Sequence, residues 1–444
     1  MHRVISLFGV SLIIFMLTAC AGQTPVAHTP TPKIEVAVFS TELPSTVTPT
    51  PSTTATPAAT VGSGAVSLVA TATPTMSIVS GPAEFGLTRP SDENPLTGLK
   101  VTDPALLHRR PIMVRIGNDV EARPQVGLSA ADIVYEEMVE WWVTRFTAIY
   151  LSQDLETIAP IRSARLINLQ LVPQYQGALA NSGGSDSVRW QLAHADIINL
   201  DEFFNSSLYF YRENESWQTR LAFNAVTARK YLADEGEDKD VGLRGFVFSQ
   251  VLDVTSLPKE AVSEAKEIIV PYPPQTSEAK WQYDPTSGRY LRFTIGEPMT
   301  DVNGSQLSAA NVVIYFADHQ DTDIVEDVNG ATSIKIIVNG LGTAWLLRDG
   351  QILKGNWQTD GAQTPNFIFN DGRPMPFKPG NTWVEVIPLG YSIKIDGQDH
   401  TRLGDAEAKT TPESAKTPTT VTPTTTSTPI GARPTATQQT VSGN

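Results

Sequence analysis

The sequence predicts an α+β fold: a mixed α/β first domain with a βαβα unit, followed by a smaller antiparallel β-rich second domain. Three observations carry this. Apolar runs of strand length recur throughout residues 86–403, whereas segments with helical periodicity are confined to the part before residue 255. Beyond 255, turn strings such as "DPTSG" and "RDGQ" separate alternating segments, the mark of hairpins. The stretch is also long enough for two domains, predicted as 86–255 and 256–403.

The elements follow in order. "PIMVRIG" (111–117) reads as a strand and "DIVYEEMVEWWVTRFTAIYL" (132–151) as one or two strands with a kink. "SARLINLQLVPQ" (163–174) reads as a helix, "GALANS" (177–182) as a strand, and "SDSVRWQLAHAD" (185–196) and "VTARKYLADEG" (226–236) as helices. Ser185 or Asp186 and Thr227 are the candidate N-caps, because their side-chain oxygens can accept from free backbone N–H groups. Strand, helix, strand, helix over 143–195 makes the βαβα unit, whose crossover would leave its strands parallel. "SLPKEAVSEAKEI" (256–268) joins the halves. "KWQYDPTSGRYLRFTIG", "NVVIYFAD", "SIKIIVNG", "TAWLLRDGQILKGNW", "TWVEVIPLG" and "YSIKIDG" read as strands.

The flanks cannot build a core. Residues 1–20 hold one arginine, an apolar run from Val4 to Ala19 and the string "LTAC". The run is short for a membrane span, which needs about 20 residues, and fits a secretion signal ending in a lipobox with Cys20 as the lipidated residue. The protein is therefore expected at the bacterial cell membrane on its extracytoplasmic face, anchored through lipid on Cys20. Residues 21–85 and 404–444 are rich in Thr and Pro and poor in large apolar groups, so nothing offsets the entropy of ordering them. The first is read as a tether with a mean reach of about 45 Å.

Composition narrows the chemistry. Cys20 is the only cysteine, which leaves no partner for a disulfide and no second thiol for a Cys-based metal site. A net charge of −14 without a basic block argues against nucleic acid, whose binding rests on clustered cations. Serine nucleophiles need a base, and His2, His28, His108, His194, His319 and His400 are scattered; no G-x-S-x-G, H-E-x-x-H or Walker string occurs. No cofactor or metal is expected. "DHQDTDIVED" (318–327) lacks EF-hand spacing and is read as a solvated acidic loop. Trp281, Trp345, Trp357 and Trp383 lie in strand patterns and are read as core.

One constellation stands out. If the strand is regular, Glu136 and Glu140 share a face, about 13 Å apart by strand rise, too far for a simple catalytic pair without a bend. Arg145, Arg162 and Arg165 are their natural ion-pair partners, or the receptors of an anionic ligand. A shared role for Arg162 and Arg165 needs "RSARLINLQ" to be helical. "SGGS" (182–185) forms a tight turn into a helix N-terminus, where backbone N–H groups can meet an anion. The ligand-binding candidates are therefore Arg145, Arg162, Ser163, Arg165, Ser182, Gly183, Gly184 and Ser185, with Glu136 and Glu140 as the acid–base pair of an enzyme alternative.

"NPLTGL" (94–99), "RP" with "IGN" (110–118), "ARPQVGLSAADIVYE" (122–136), "TRF", "PIRSAR", "SGGS" and "RDGQILKGNW" together resemble the YerB-like lipoproteins, over nearly all of 92–390. The resemblance implies a bacterial envelope lipoprotein with α+β architecture and supplies no reaction. Members commonly carry Gly-Gly at Trp141-Trp142, His at Asn181 and Pro-His-Asn at Ala222-Phe223-Asn224, so this chain departs where histidine chemistry would sit. The expected function is binding of an envelope glycan, peptide or protein partner, more a binding protein than an enzyme. The alternatives are a wall-directed hydrolase or transferase, and a scaffold for membrane-bound wall-synthesis enzymes.

Overall fold

A computed structural model describes residues 88–402. The signal with Cys20, the tether and the tail lie outside the described residues. Apolar runs buried on both faces make the centre of a sheet. Five strands come from the first half: β1 (Ile112–Gly117), β2 (Ile133–Val139), β3 (Val143–Tyr150), β4 (Ala178–Ala180) and β5 (Ile198–Asn199). They stand in the order β2-β3-β1-β4-β5. The same sheet continues beyond β2 through Thr382–Pro388, Asn311–Val325, Gly340–Arg348, Gln351–Thr359 and Asn366–Ile368. Thr382–Pro388 lies parallel to β2, with Ile133 opposite Thr382. One sheet thus spans both predicted halves.

A second sheet, built around Glu267–Val270, Ala279–Asp284, Arg289–Thr294 and Ser392–Ile395, covers one face of the first. Val114, Val134 and Phe146 of the central sheet meet Ile268, Trp281 and Ile393 in that layer. The opposite face carries α1 (Asn168–Tyr175) and α2 (Asp186–His194), through Leu171, Val172, Val188 and Leu192. A third helix, α3 (Ala225–Asp234), packs Ala228 and Leu232 into the first core. The α+β class holds, with Trp281, Trp345, Trp357 and Trp383 all buried as expected. Truncating such a ring costs about 3–5 kcal/mol.

The predicted βαβα unit does not form over 143–195. β3 is antiparallel to both β2 and β1, and β4 is parallel to β1, so strands 143–150 and 178–180 run in opposite senses with β1 between them. The cause is the kink at Glu140–Trp142, where Trp141 adopts φ 64 and turns β3 back along β2. The parallel crossover lies one step later, as β4–α2–β5.

Residues 163–167 are not in α1. Ile161 bridges to Ile116, the Arg162 N–H donates to the Arg115 carbonyl and the Ala164 N–H to that of Gly183, which ties 161–164 to neighbouring strands and turns, and Leu166 and Ile167 form the turn into α1. The N-cap of α2 is Ser185, whose hydroxyl accepts from the Val188 N–H. At α3 the cap is Asn224 rather than Thr227; its side chain accepts the Thr227 N–H at 2.8 Å. Residues 318–325, expected in a loop, are the outer part of strand Asn311–Val325, paired with Thr332–Ile337. Among the described residues no helix is long and apolar enough to cross a membrane.

Candidate functional site

The carboxyl ends of β1 and β4 lie side by side, the edge at which open parallel units hold ligands. From β1 the chain runs on to Asp119, and from β4 to Ser182. Between them opens a cleft of about 640 Å³, within the roughly 300–1,000 Å³ typical of small-ligand sites. Its floor and inner wall present Arg145, Arg162, Ser163 and Ser182, four of the residues expected from sequence. Asp119, Glu121, Glu202, Tyr211, Trp217 and Arg220 complete it.

Arg162 lies across Gly117, where a Cβ would come to 3.0 Å from its Cγ, so a larger residue there would press the arginine side chain aside. Its Nε and Nη2 reach Asp119 at 3.0 and 2.9 Å, and Nη1 donates to the Gln218 carbonyl at 2.5 Å. The Ser163 hydroxyl donates to the Ser182 carbonyl at 3.0 Å, and the Ser182 hydroxyl to Glu202 at 2.6 Å. Arg145, opposite Gly117 in the ladder, is held less completely. Its Nη2 is 3.6 Å from Glu140, while its buried Nε and Nη1 have no acceptor among the described residues. Burial first, and the neighbouring Arg165 charge next, pull its pKa down to about 9.

The outer wall comes from "YFYRENESWQTR" (209–220), the turn between two short paired strands, β6 (Tyr209–Tyr211) and β7 (Leu221–Phe223). Trp217 is 76% exposed and Tyr211 59%, with the Arg220 guanidinium 4.5 Å from the Tyr211 ring centre. A smaller hollow of about 410 Å³ adjoins, sharing Ser182 and Glu202 and adding Gly183, Arg189 and Phe203.

Arg165, Gly184 and Ser185 do not join the cleft lining. With 162–165 outside any helix, Arg165 diverges from Arg162 and pairs with both oxygens of Glu140, and Glu326 lies 3.5 Å away. Glu326 also accepts the Ser185 N–H at 3.3 Å, so the N-terminus of α2 already meets a carboxylate of this chain. Nor do Glu136 and Glu140 share a face. Glu136 points toward the second sheet, fully buried, and accepts from Arg292 at 3.0 Å, Thr144 at 2.7 Å and the Trp383 indole at 3.1 Å. Glu140, turned by the kink, joins Arg165 near α1. Burial raises its pKa, but the Arg165 hydrogen bond and the Arg145 and Arg165 charges outweigh this and hold it at about 2. Neither carboxylate lines the cleft.

Sequence reasoning missed Asp119, Glu121, Glu202, Tyr211, Trp217 and Arg220. The available signal was the 209–220 string, in which aromatics interleave with charged residues without a core period. Among the described residues no group of three or more His, Cys, Asp or Glu side chains could hold a metal ion.

Comparison with known proteins finds one family matched in two stretches. Residues 96–241 match the N-terminal domain, and 268–384 the C-terminal domain, of the family described as protein of unknown function (DUF3048). The chain is 34% identical over 301 residues to YerB of Bacillus subtilis (strain 168), named as a lipoprotein, covering 66% of this chain and 86% of that one. The crystal structure of the YerB protein from Bacillus subtilis superposes with a TM-score of 0.57 at 27% identity, over 66% of this chain and 96% of that chain.

Proposed function

The chain belongs to the YerB-like DUF3048 family, and on that premise we propose that it is a lipid-anchored extracytoplasmic protein that captures a cell-envelope component in the Arg145–Ser182–Trp217 cleft. The observation that carries this reading is the cleft itself: arginines on its floor, hydroxyl and carboxylate groups on its sides, and two exposed aromatic rings on its wall. A few placed polar groups beside apolar surface are what a recognition site needs. The carboxylates of the hydrolase alternative, Glu136 and Glu140, are committed to Arg292 and Arg165 instead.

Anchoring rests on Cys20. Cys20→Ser is expected to abolish lipid labelling and release the protein or leave a precursor; undiminished labelling would refute the assignment. Capture is tested by co-sedimentation of the full chain with isolated cell-wall material. Trp217→Ala with Tyr211→Ala, both at exposed positions, is expected to weaken it about tenfold or more, the scale of two lost aromatic contacts. Unchanged sedimentation by the double variant would remove the cleft from the function.

A further inference from the structure

Resting on the capture reading of this cleft, we propose that its ligand is a saccharide bearing a carboxylate, with a ring face against Trp217 and Tyr211 and the carboxylate among Arg145 and Arg220.

Three features select that chemistry. First, exposed aromatic rings line a polar cavity: Trp217 is 76% exposed and Tyr211 59%, and of the exposed tryptophans Trp141, Trp190 and Trp217, Trp217 is the one in its lining. A flat ring beside hydrogen-bonding groups suits a sugar, whose C–H face is apolar and whose edge is hydroxylated. Second, Glu121 and Glu202 line the cleft and can only accept when ionised. Sugar hydroxyls supply donors; a closely charged polyphosphate would be repelled. Third, the arginines differ in how fully carboxylates of this chain hold them. Arg162 has Asp119, and Arg165 has Glu140 and Glu326. Arg145 has two N–H-bearing nitrogens without an acceptor, and the exposed Arg220 has no ion pair among the described residues. A buried donor left unmade is costly, and a carboxylate entering from the cleft removes that cost once the Arg145 guanidinium turns to meet it. One carboxylate among several hydroxyls therefore fits better than an anion on every unit.

The test is titration of the full chain in detergent with a tetrasaccharide alternating glucuronate and N-acetylglucosamine. Two comparison probes are the same tetrasaccharide with its carboxyls reduced to alcohols, and a pentapeptide with two carboxylates. The charged sugar is expected to bind at least about tenfold tighter than the reduced one, as a charge-assisted pair implies. Trp217→Ala should weaken both sugars. Arg220→Gln, on the surface, and Arg145→Gln, checked for folding by its thermal midpoint, should narrow the gap between them. Equal binding of the two sugars, tighter binding of the peptide, or no sugar binding overturns the inference. If wall material is still captured in a Trp217- and Tyr211-dependent way while the sugars fail, only the ligand class falls; if that capture also fails, the cleft reading falls with it.

Discussion

Glu140 balances two guanidinium groups, taking a paired contact from Arg165 and lying 3.6 Å from Arg145. Its carboxyl is held at about 2, below the ordinary 4.5, so the native state prefers it ionised. Such a group stabilises the fold above its unfolded pKa, and that contribution is lost as pH falls through the folded value. Glu140→Gln is therefore expected to be less stable than wild type at neutral pH, and the difference to shrink between about pH 4.5 and 2. Urea midpoints across that window check it; a difference independent of pH would show that Glu140 acts through packing alone. Sequence pattern named Glu140 and its arginine partners, and Arg145, Arg162, Ser163 and Ser182 of the cleft. It misplaced Glu140 because strand alternation carries no notice of a residue such as Trp141 taking φ 64. It grouped Arg165 with Arg162 because nothing local shows that Ala164 is tied to Gly183.

Elements were legible where their cause is local. "RDGQ" closes a two-residue hairpin with Asp349 at φ 53 and Gly350 at φ 73, the pair of left-handed conformations that Asp-Gly favours. "DPTSG" likewise joins two strands in register from Lys280–Phe293 to Asp284–Arg289. Helix starts were legible only in part. At α3 both Asn224 and Thr227 are cap-forming types, and the structure selects Asn224. Asn224→Ala is expected to lower stability by about 1 kcal/mol, whereas Thr227→Ala, at an exposed position, should change little. Denaturant midpoints of the two variants distinguish them, and a reversed order would restore Thr227 as the cap.

At the scale of the molecule, the central sheet draws on both ends of the folded stretch. Glu136 accepts from Trp383 across 247 residues of sequence, and no periodicity could announce that pairing. Local pattern instead suggested two bodies divided near 255. A chain ended at residue 255 would leave β2 without Thr382–Pro388 and remove the second sheet from one face of the core. It is expected to show no cooperative thermal transition by circular dichroism, and a sharp transition would show that the first half stands alone. Trimming to 86–404 removes no described strand or helix and should leave the midpoint within a few degrees of that of the whole chain.

The tip beyond strand Asn311–Val325 gives the order of synthesis a meaning. Glu326 meets the start of α2 across 141 residues, and Asp327 accepts from the Trp141 indole across 186. A polypeptide made N-terminus first presents the kink, the α2 start and the open side of β2 before the residues that cover them exist. Those three places close only when the last strands arrive. A chain interrupted before residue 326 is therefore expected to be cleaved by added protease faster than the whole one, and equal cleavage rates would refute this.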